Sequence, residues 1–198
     1  MPELRKDYLV DRWVSIAPER AKRPKQREIA EVPTKVTECP FCPGNEEKTP
    51  PATLVYTTSN GKLIKLKDND KKRIRNWLIR CFPNLYPAFI PQKEDLSKKV
   101  FSIEPAYGYH EVLVESPRHD DNWWNISYSQ LVLALKAMIE RVKFMINDPN
   151  VAFVLPFRNN GPTAGASIIH PHMQIIGLPK VPKTIIEECE GFSGDCPY

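Results

Sequence analysis

This sequence predicts an α+β fold built on an antiparallel sheet, and three observations carry the prediction. Tyr109–Glu115 (YHEVLVE) alternates with period two and is bounded by Pro117, the pattern of a half-buried strand. Leu131, Leu135, Met138, Ile139, Val142 and Met145 recur at three- and four-residue spacing, which lays an apolar stripe along one helix. Val151–Pro156 and Ile169–Leu178 then read as two more strands, joined by the loop Arg158–Ser167 with Gly161 and Gly165.

Taken in chain order, Tyr8–Ile16 reads as a short strand closed by Pro18. Glu19–Pro24 is basic and punctuated by prolines, so an ordered loop is expected rather than a helix. Residues 25–50 are rich in Pro, Lys, Glu and Thr and read as extended chain around Cys39-Pro40-Phe41-Cys42. Thr53–Thr58 and Lys62–Leu66 flank Ser59-Asn60-Gly61, a hairpin signal. Lys67–Arg75 is a charge run, expected to be solvated. Ser127, with Gln130 three residues on, forms a capping box that opens the helix, and Asp148-Pro149 stops it.

Composition bounds the function. The chain has 198 residues, enough for one domain or one and a half, with 41% hydrophobic and 26% charged residues. No apolar run approaches bilayer length, and the N-terminus is charged from its third residue without an apolar core, so a cytoplasmic location and no membrane partner are expected. A net charge of +4 is too mild to demand nucleic acid and suits a small phosphorylated substrate. Five cysteines, an odd number containing one C-x-x-C pair, argue for metal or redox chemistry over a disulfide framework. Neither G-x-x-x-x-G-K nor G-x-G-x-x-G occurs, which excludes the phosphate loops of those folds.

Chemistry concentrates in a few places. In His170-Pro171-His172-Met173-Gln174, alternation along a strand puts 170, 172 and 174 on one face. A solvent-exposed polar face would explain that pattern too, but Ile168, Ile169, Ile175 and Ile176 flank it and argue for burial. Cys39 and Cys42 offer half of a tetrahedral zinc site. A redox pair is the competing reading, without the following helix that such pairs use. Two of the four histidines (His110, His119, His170, His172) would complete the tetrahedron. Arg20-Ala21-Lys22-Arg23 could clamp a diphosphate or be a solvated basic loop.

Five segments in order, DRWVSIAPERAKRP, CPFCPGNE, FPNLYPAF, HEVLVESPRH and NNGPTAGASIIHPHMQI, resemble the galactose-1-phosphate uridylyltransferase family of the histidine-triad superfamily. The resemblance implies a histidine-triad-like antiparallel sheet with a packed helix and an extended N-terminal zinc-binding segment. It implies a closed structural zinc site of Cys39, Cys42, His119 and His170, and no assignment for His110, for which a packed or exposed residue is the default. His172 is implied as the nucleophile that carries UMP from UDP-glucose to a hexose 1-phosphate such as galactose 1-phosphate, by ping-pong kinetics. Gln174 is implied to donate a hydrogen bond to the phosphoryl group where related hydrolases carry a histidine. A glutamine cannot act as a titrating acid, which favours transfer or phosphorolysis over hydrolysis. Arg20, Arg23, Asn84, Asn159, Gly165, Ala166 and Ser167 are implied to line the nucleotide and phosphates, with Met173 placing bulk beside the nucleophile where the family commonly has glycine. An ADP-sugar or dinucleoside polyphosphate phosphorylase is the alternative within the fold, and a non-catalytic zinc and nucleotide module the alternative outside it. By the same resemblance residues 1–195 form one nucleotidyltransferase domain, residues 196–198 look like the start of a second repeat, and the full-length form is a homodimer.

Overall fold

The computed structural model describes residues 1–22, 38–92 and 103–192. Within them the strands are β1 (Glu3–Asp7), β2 (Arg12–Ile16), β3 (Leu54–Ser59), β4 (Lys62–Leu66), β5 (Trp77–Pro83), β6 (Ile103–Pro105), β7 (Tyr109–Val114), β8 (Phe153–Phe157) and β9 (His172–Leu178). Two α-helices, α1 (Tyr128–Ile146) and α2 (Lys183–Gly191), join them. A small sheet has the order β2-β1-β6 and a larger one the order β4-β3-β5-β7-β9-β8, with antiparallel pairing throughout both. The α+β class and the antiparallel sheet are as the sequence predicts.

Local chemistry moves several boundaries. Tyr8–Ile16 is not one strand, because the Asp7 carboxylate accepts the backbone N–H groups of Leu9 at 2.9 Å and Val10 at 3.4 Å. That Asx turn, with Asp11 at φ 43°, reverses the chain into the β1–β2 hairpin. Pro18–Lys22 is one short 3-10 turn rather than a loop. Over 38–50, the described part of the segment expected to be extended, the chain folds into successive turns and a 3-10 helix at Glu46–Lys48. The β3–β4 hairpin forms as expected on Asn60 and Gly61, both at positive φ, 50° and 73°.

The charge run 67–75 is not wholly solvated. The buried Asp68 carboxylate accepts Ala52 N–H at 2.9 Å and Ile74 N–H at 2.8 Å, and pairs with the buried Arg80 at 2.7 Å. Ser127 caps α1 by accepting Gln130 N–H at 3.3 Å, as the capping motif predicts. The Gln130 side chain does not return to Ser127. It donates to the carbonyls of Leu78 at 2.8 Å and Glu115 at 2.9 Å, fastening the helix to two strands.

Alternation gives the large sheet two different faces. Pairing sets Val55 opposite Arg80, Phe82 opposite Val112, Val112 opposite Gln174 and Val114 opposite His172, so these residues share one side. Leu54, Tyr56, Ile79, Cys81, Leu113, Met173 and Ile175 occupy the other side, packed under Ala134, Ala137 and Met145 of α1. The alanines let the helix approach the sheet closely. The buried residue between them and Met145 is Arg141, whose guanidinium grips Glu111 with two bonds of 2.7 and 2.8 Å. Ile139, expected in the apolar stripe, is 47% exposed.

Candidate metal centre and active site

The opposite face is closed by turns instead of a helix. Cys42 N–H donates to Cys39 O at 3.3 Å, Asn45 N–H to Cys42 O at 3.1 Å, and the Asn45 side-chain amide to Cys39 O at 2.8 Å. This knot sits on Val55, Trp77, Phe82, Val112 and Val114 and turns both thiols inward. There they meet His119 and His170: the four side chains offer ligand atoms all within 4.8 Å of one another. Cys42 Sγ lies 3.2 Å from His119 Nδ1 and 3.4 Å from His170 Nδ1. Atoms bonded at ~2.0–2.3 Å to a common tetrahedral ion stand roughly 3.3–3.8 Å apart, so the 3.4 Å spacing falls in that range and the 3.2 Å one just short of it.

The donor chemistry fits as well. His170 Nε2–H donates to Ser116 O at 2.7 Å, which leaves the Nδ1 lone pair facing the thiols. Burial lowers the His170 pKa to about 4, so the ring is neutral, as a ligand must be. Burial, reinforced by Cys39, pushes the Cys42 thiol up to about 12. A cation among these groups would reverse that cost by stabilising the thiolates. The group is therefore one that could hold a metal ion.

His172 begins β9 beside this centre. The strand starts at 172 and not at 169, because Pro171 lacks an N–H to continue the ladder, although its carbonyl still accepts Glu115 N–H at 3.1 Å. His170 accordingly leaves the sheet for the cysteines while His172 stays on it. His172 Nδ1–H donates to the His170 carbonyl at 2.8 Å, so Nε2 carries the lone pair. Phe41, inside the C-x-x-C, packs its ring edge-on to both imidazoles, with centroids 5.2 Å from His172 and 6.2 Å from His170. Sequence reasoning passed over Phe41; only the fold shows that the cysteine knot braces the His172 ring.

Gln174, two residues on, is buried on the same face. Its Oε1 lies 2.8 Å from His110 Nε2 and 3.4 Å from Asn84 Nδ2. Asn84 Oδ1 accepts Tyr86 N–H at 2.9 Å, and Arg20 Nη1 donates to Tyr86 O at 2.8 Å. Arg20, Asn84 and Gln174 thus form one hydrogen-bonded patch. Asn159 lies two residues past β8, whose last paired residue, Phe157, is opposite Gln174. The loop that follows turns at Gly161 and Gly165, both at positive φ, and closes with Ala166 N–H on Gly161 O at 3.1 Å. Ser167 then leads into His170, so the loop lies at the His172 end of the sheet. Arg23 and residues 196–198 lie outside the described residues.

One expectation changes and two contacts are added. Met173 does not share the face of His172, since alternation sends it to the helix side among Leu113 and Ile175. His110 is packed, as its default reading had it, yet it is bonded to Gln174. Arg158 and Trp123, unremarked in sequence, both bond Glu115, Arg158 at 2.9 Å and Trp123 at 3.1 Å, which anchors the loop's entry.

Comparison with known proteins follows this geometry. A family model described as the N-terminal domain of a domain of unknown function, DUF4931, matches residues 96–181. The ADP-glucose phosphorylase of Arabidopsis thaliana is 32% identical over 197 residues, covering 96% of this chain and 52% of that protein. The galactose-1-phosphate uridylyltransferase of Thermotoga maritima is 28% identical over 188 residues, 93% of this chain and 49% of that protein. That of Saccharomyces cerevisiae is 28% identical over 205 residues, 93% and 50% respectively. Over nearly its whole length the chain is therefore similar to one half of the galactose-1-phosphate uridylyltransferases and of a related ADP-glucose phosphorylase. The crystal structure of the Arabidopsis ADP-glucose phosphorylase with bound ADP-glucose superposes with a TM-score of 0.62 at 31% identity, covering 96% of this chain and 53% of that one. A uridylyltransferase structure superposes with a TM-score of 0.67 at 27% identity, covering 96% and 50%. The chain spans about half the length of the curated relatives it matches, the N-terminal half of the family's architecture. Among the described residues no helix is long and apolar enough to cross a membrane.

Proposed function

We propose that His172 is the nucleophile of a nucleotidyl transfer from a nucleoside diphosphate sugar, with an ADP-sugar as the donor. The observation that carries the chemistry is the 2.8 Å bond from His172 Nδ1–H to the His170 carbonyl, which puts the lone pair of the neutral ring on Nε2. Nε2 attacks the α-phosphorus, the bond from that phosphorus to the bridging oxygen breaks, and the sugar 1-phosphate leaves. The nucleotidyl-imidazole carries positive charge on its ring, which the His170 carbonyl offsets through Nδ1–H. An oxygen of inorganic phosphate or of a second sugar phosphate then attacks the same phosphorus and releases His172. Gln174, with Arg20, Arg23, Asn84, Asn159 and the Gly165-Ala166-Ser167 loop, is the set that would hold the nucleotide and phosphates. Gln174 has no titrating proton with which to make a hydrolase.

The adenylyl reading rests on the 32% identity to the Arabidopsis phosphorylase. The uridylyl reading, with galactose 1-phosphate as acceptor, is the second, supported by the 28% identity to the Thermotoga and yeast transferases. Cys39, Cys42, His119 and His170 are proposed to hold zinc. With four protein ligands and no open position, the ion would be structural, fixing the backbone whose carbonyl orients His172. A second repeat and a partner subunit, both implied by the family resemblance, would complete the sugar-phosphate site in the whole protein.

The test is intact mass spectrometry of the chain after separate incubation with ADP-glucose, UDP-glucose and a dinucleoside polyphosphate. One adenylyl gain supports the first reading and one uridylyl gain the second. No gain from any donor would leave the chain a binding module.

A further inference from the structure

We infer that His110 is a positioning residue that sets the polarity of the Gln174 amide, so that its NH2 and not its oxygen faces the group transferred at His172. The inference rests on the proposed role of His172, and its logic begins at the backbone. Ala88 N–H donates to His110 Nδ1 at 3.1 Å, which makes Nδ1 an acceptor and places the neutral ring's proton on Nε2. That proton points at Gln174 Oε1, 2.8 Å away. Asn84 is fixed the same way: its Oδ1 accepts Tyr86 N–H at 2.9 Å, so its NH2 is presented inward, 3.4 Å from the same Oε1. The 3.1 Å approach of Asn84 Nδ2 to His110 Nε2 is then two donors side by side, sharing one acceptor.

Reversing the Gln174 amide would set its NH2 against both donors, inside a buried site where an unmet donor is expensive. Two backbone N–H groups just after β5 therefore dictate, through Asn84 and His110, which end of Gln174 faces the reaction. The NH2 is left on the His172 side of the strand face, the polarity a phosphoryl oxygen requires. His110 is suited to the task by its place on β7, opposite Ile176 and one alternation from Gln174.

The direct test is the tautomer of His110, read by long-range nitrogen–proton NMR of the full chain. Protonation at Nε2 with Nδ1 bare is expected; an Nδ1–H tautomer overturns the inference whether or not the chain is active. The kinetic test is a cycle of His110→Phe and Gln174→Ala, reading the single-turnover rate of nucleotidyl-adduct formation. His110→Phe should slow the rate by roughly 10- to 100-fold. In the Gln174→Ala background it should change the rate by less than about twofold, since additivity fails for residues that act through each other. His110→Gln, which restores an N–H donor, should recover most of the loss. Equal losses in both backgrounds, or no recovery with His110→Gln, would show that His110 serves the fold alone. A wild-type chain that forms no adduct counts against the nucleophile, while the tautomer still decides the positioning claim.

Discussion

The two faces of the large sheet are built from the same strands and held by different means. On one face α1 lays Ala134, Ala137 and Met145 over Leu113, Met173 and Ile175, and a single buried pair, Arg141–Glu111, is fully hydrogen-bonded. On the other, short turns carry Cys39 and Cys42 over Val112 and Val114, and four side chains that could hold a metal ion converge where a core would place methyl groups. The first face is held by packing around one ion pair whose two bonds satisfy it. The second spends its interior on polar groups that satisfy one another only in part, His119 Nε2 being buried without a hydrogen-bond partner. The difference teaches where a fold can place chemistry: the helix side buries the larger apolar cluster, which leaves the opposite side room for polar groups that could hold an ion.

The sharpest way to break this comparison is to remove the proposed ion or one of the side chains that would hold it. Chelation, or Cys42→Ala, should lower the thermal midpoint by about 10 °C or more, since ligand binding energy is folding energy. Amide exchange should rise over 38–50 and 116–122 while α1 keeps its protection; equal loss on both faces would contradict the account. The helix face should answer to charge instead. Arg141→Ala, which strands Glu111 in the core, should destabilise by about 3–5 kcal/mol in urea titration, and the double change Glu111→Leu with Arg141→Met should regain most of it.

A third effect falls on the register shared by both faces. A Cβ at Gly108, where φ is +144°, would stand 2.1 Å from the Gly177 carbonyl oxygen, so Gly108→Ala should cost about 2 kcal/mol or more. The smallest effect is expected at Ile139, half-exposed on α1: Ile139→Ala should shift stability by no more than about 0.5 kcal/mol, and a larger shift would place it in the core after all.

Much of this was legible in the residues, for reasons particular to each element. Period-two alternation in β7, the cap at Ser127 and the Asn60-Gly61 turn are local signals, and they survive folding unchanged. β5 was not read, although it lies between β3 and β7, because Arg80 interrupts an otherwise apolar run and only its buried partner Asp68 makes that position tolerable. The helix stripe was read only in part for a related reason: Met138, Val142 and Met145 do pack on the core, but Ala134, Ala137 and Arg141 also face the sheet, and neither small residues nor an arginine register as core until Glu111 is seen opposite. At the site, the Cys39, Cys42, His119 and His170 set was named from family resemblance, and the fold brings those atoms together. The bond from His110 to Gln174 and the packing of Phe41 were not legible, since they depend on strand pairing and ring packing that no spacing reveals.

The central claim is that Nε2 of His172 takes the nucleotidyl group, and locating the adduct tests it most directly. The metal-loaded chain would be incubated with ADP-glucose, digested at alkaline pH and mapped by mass spectrometry. The account predicts one adenylyl group on His172, as an acid-labile phosphoramidate, and none in His172→Ala with its metal content unchanged. An adduct on any other residue, or one that persists in His172→Ala, would contradict it.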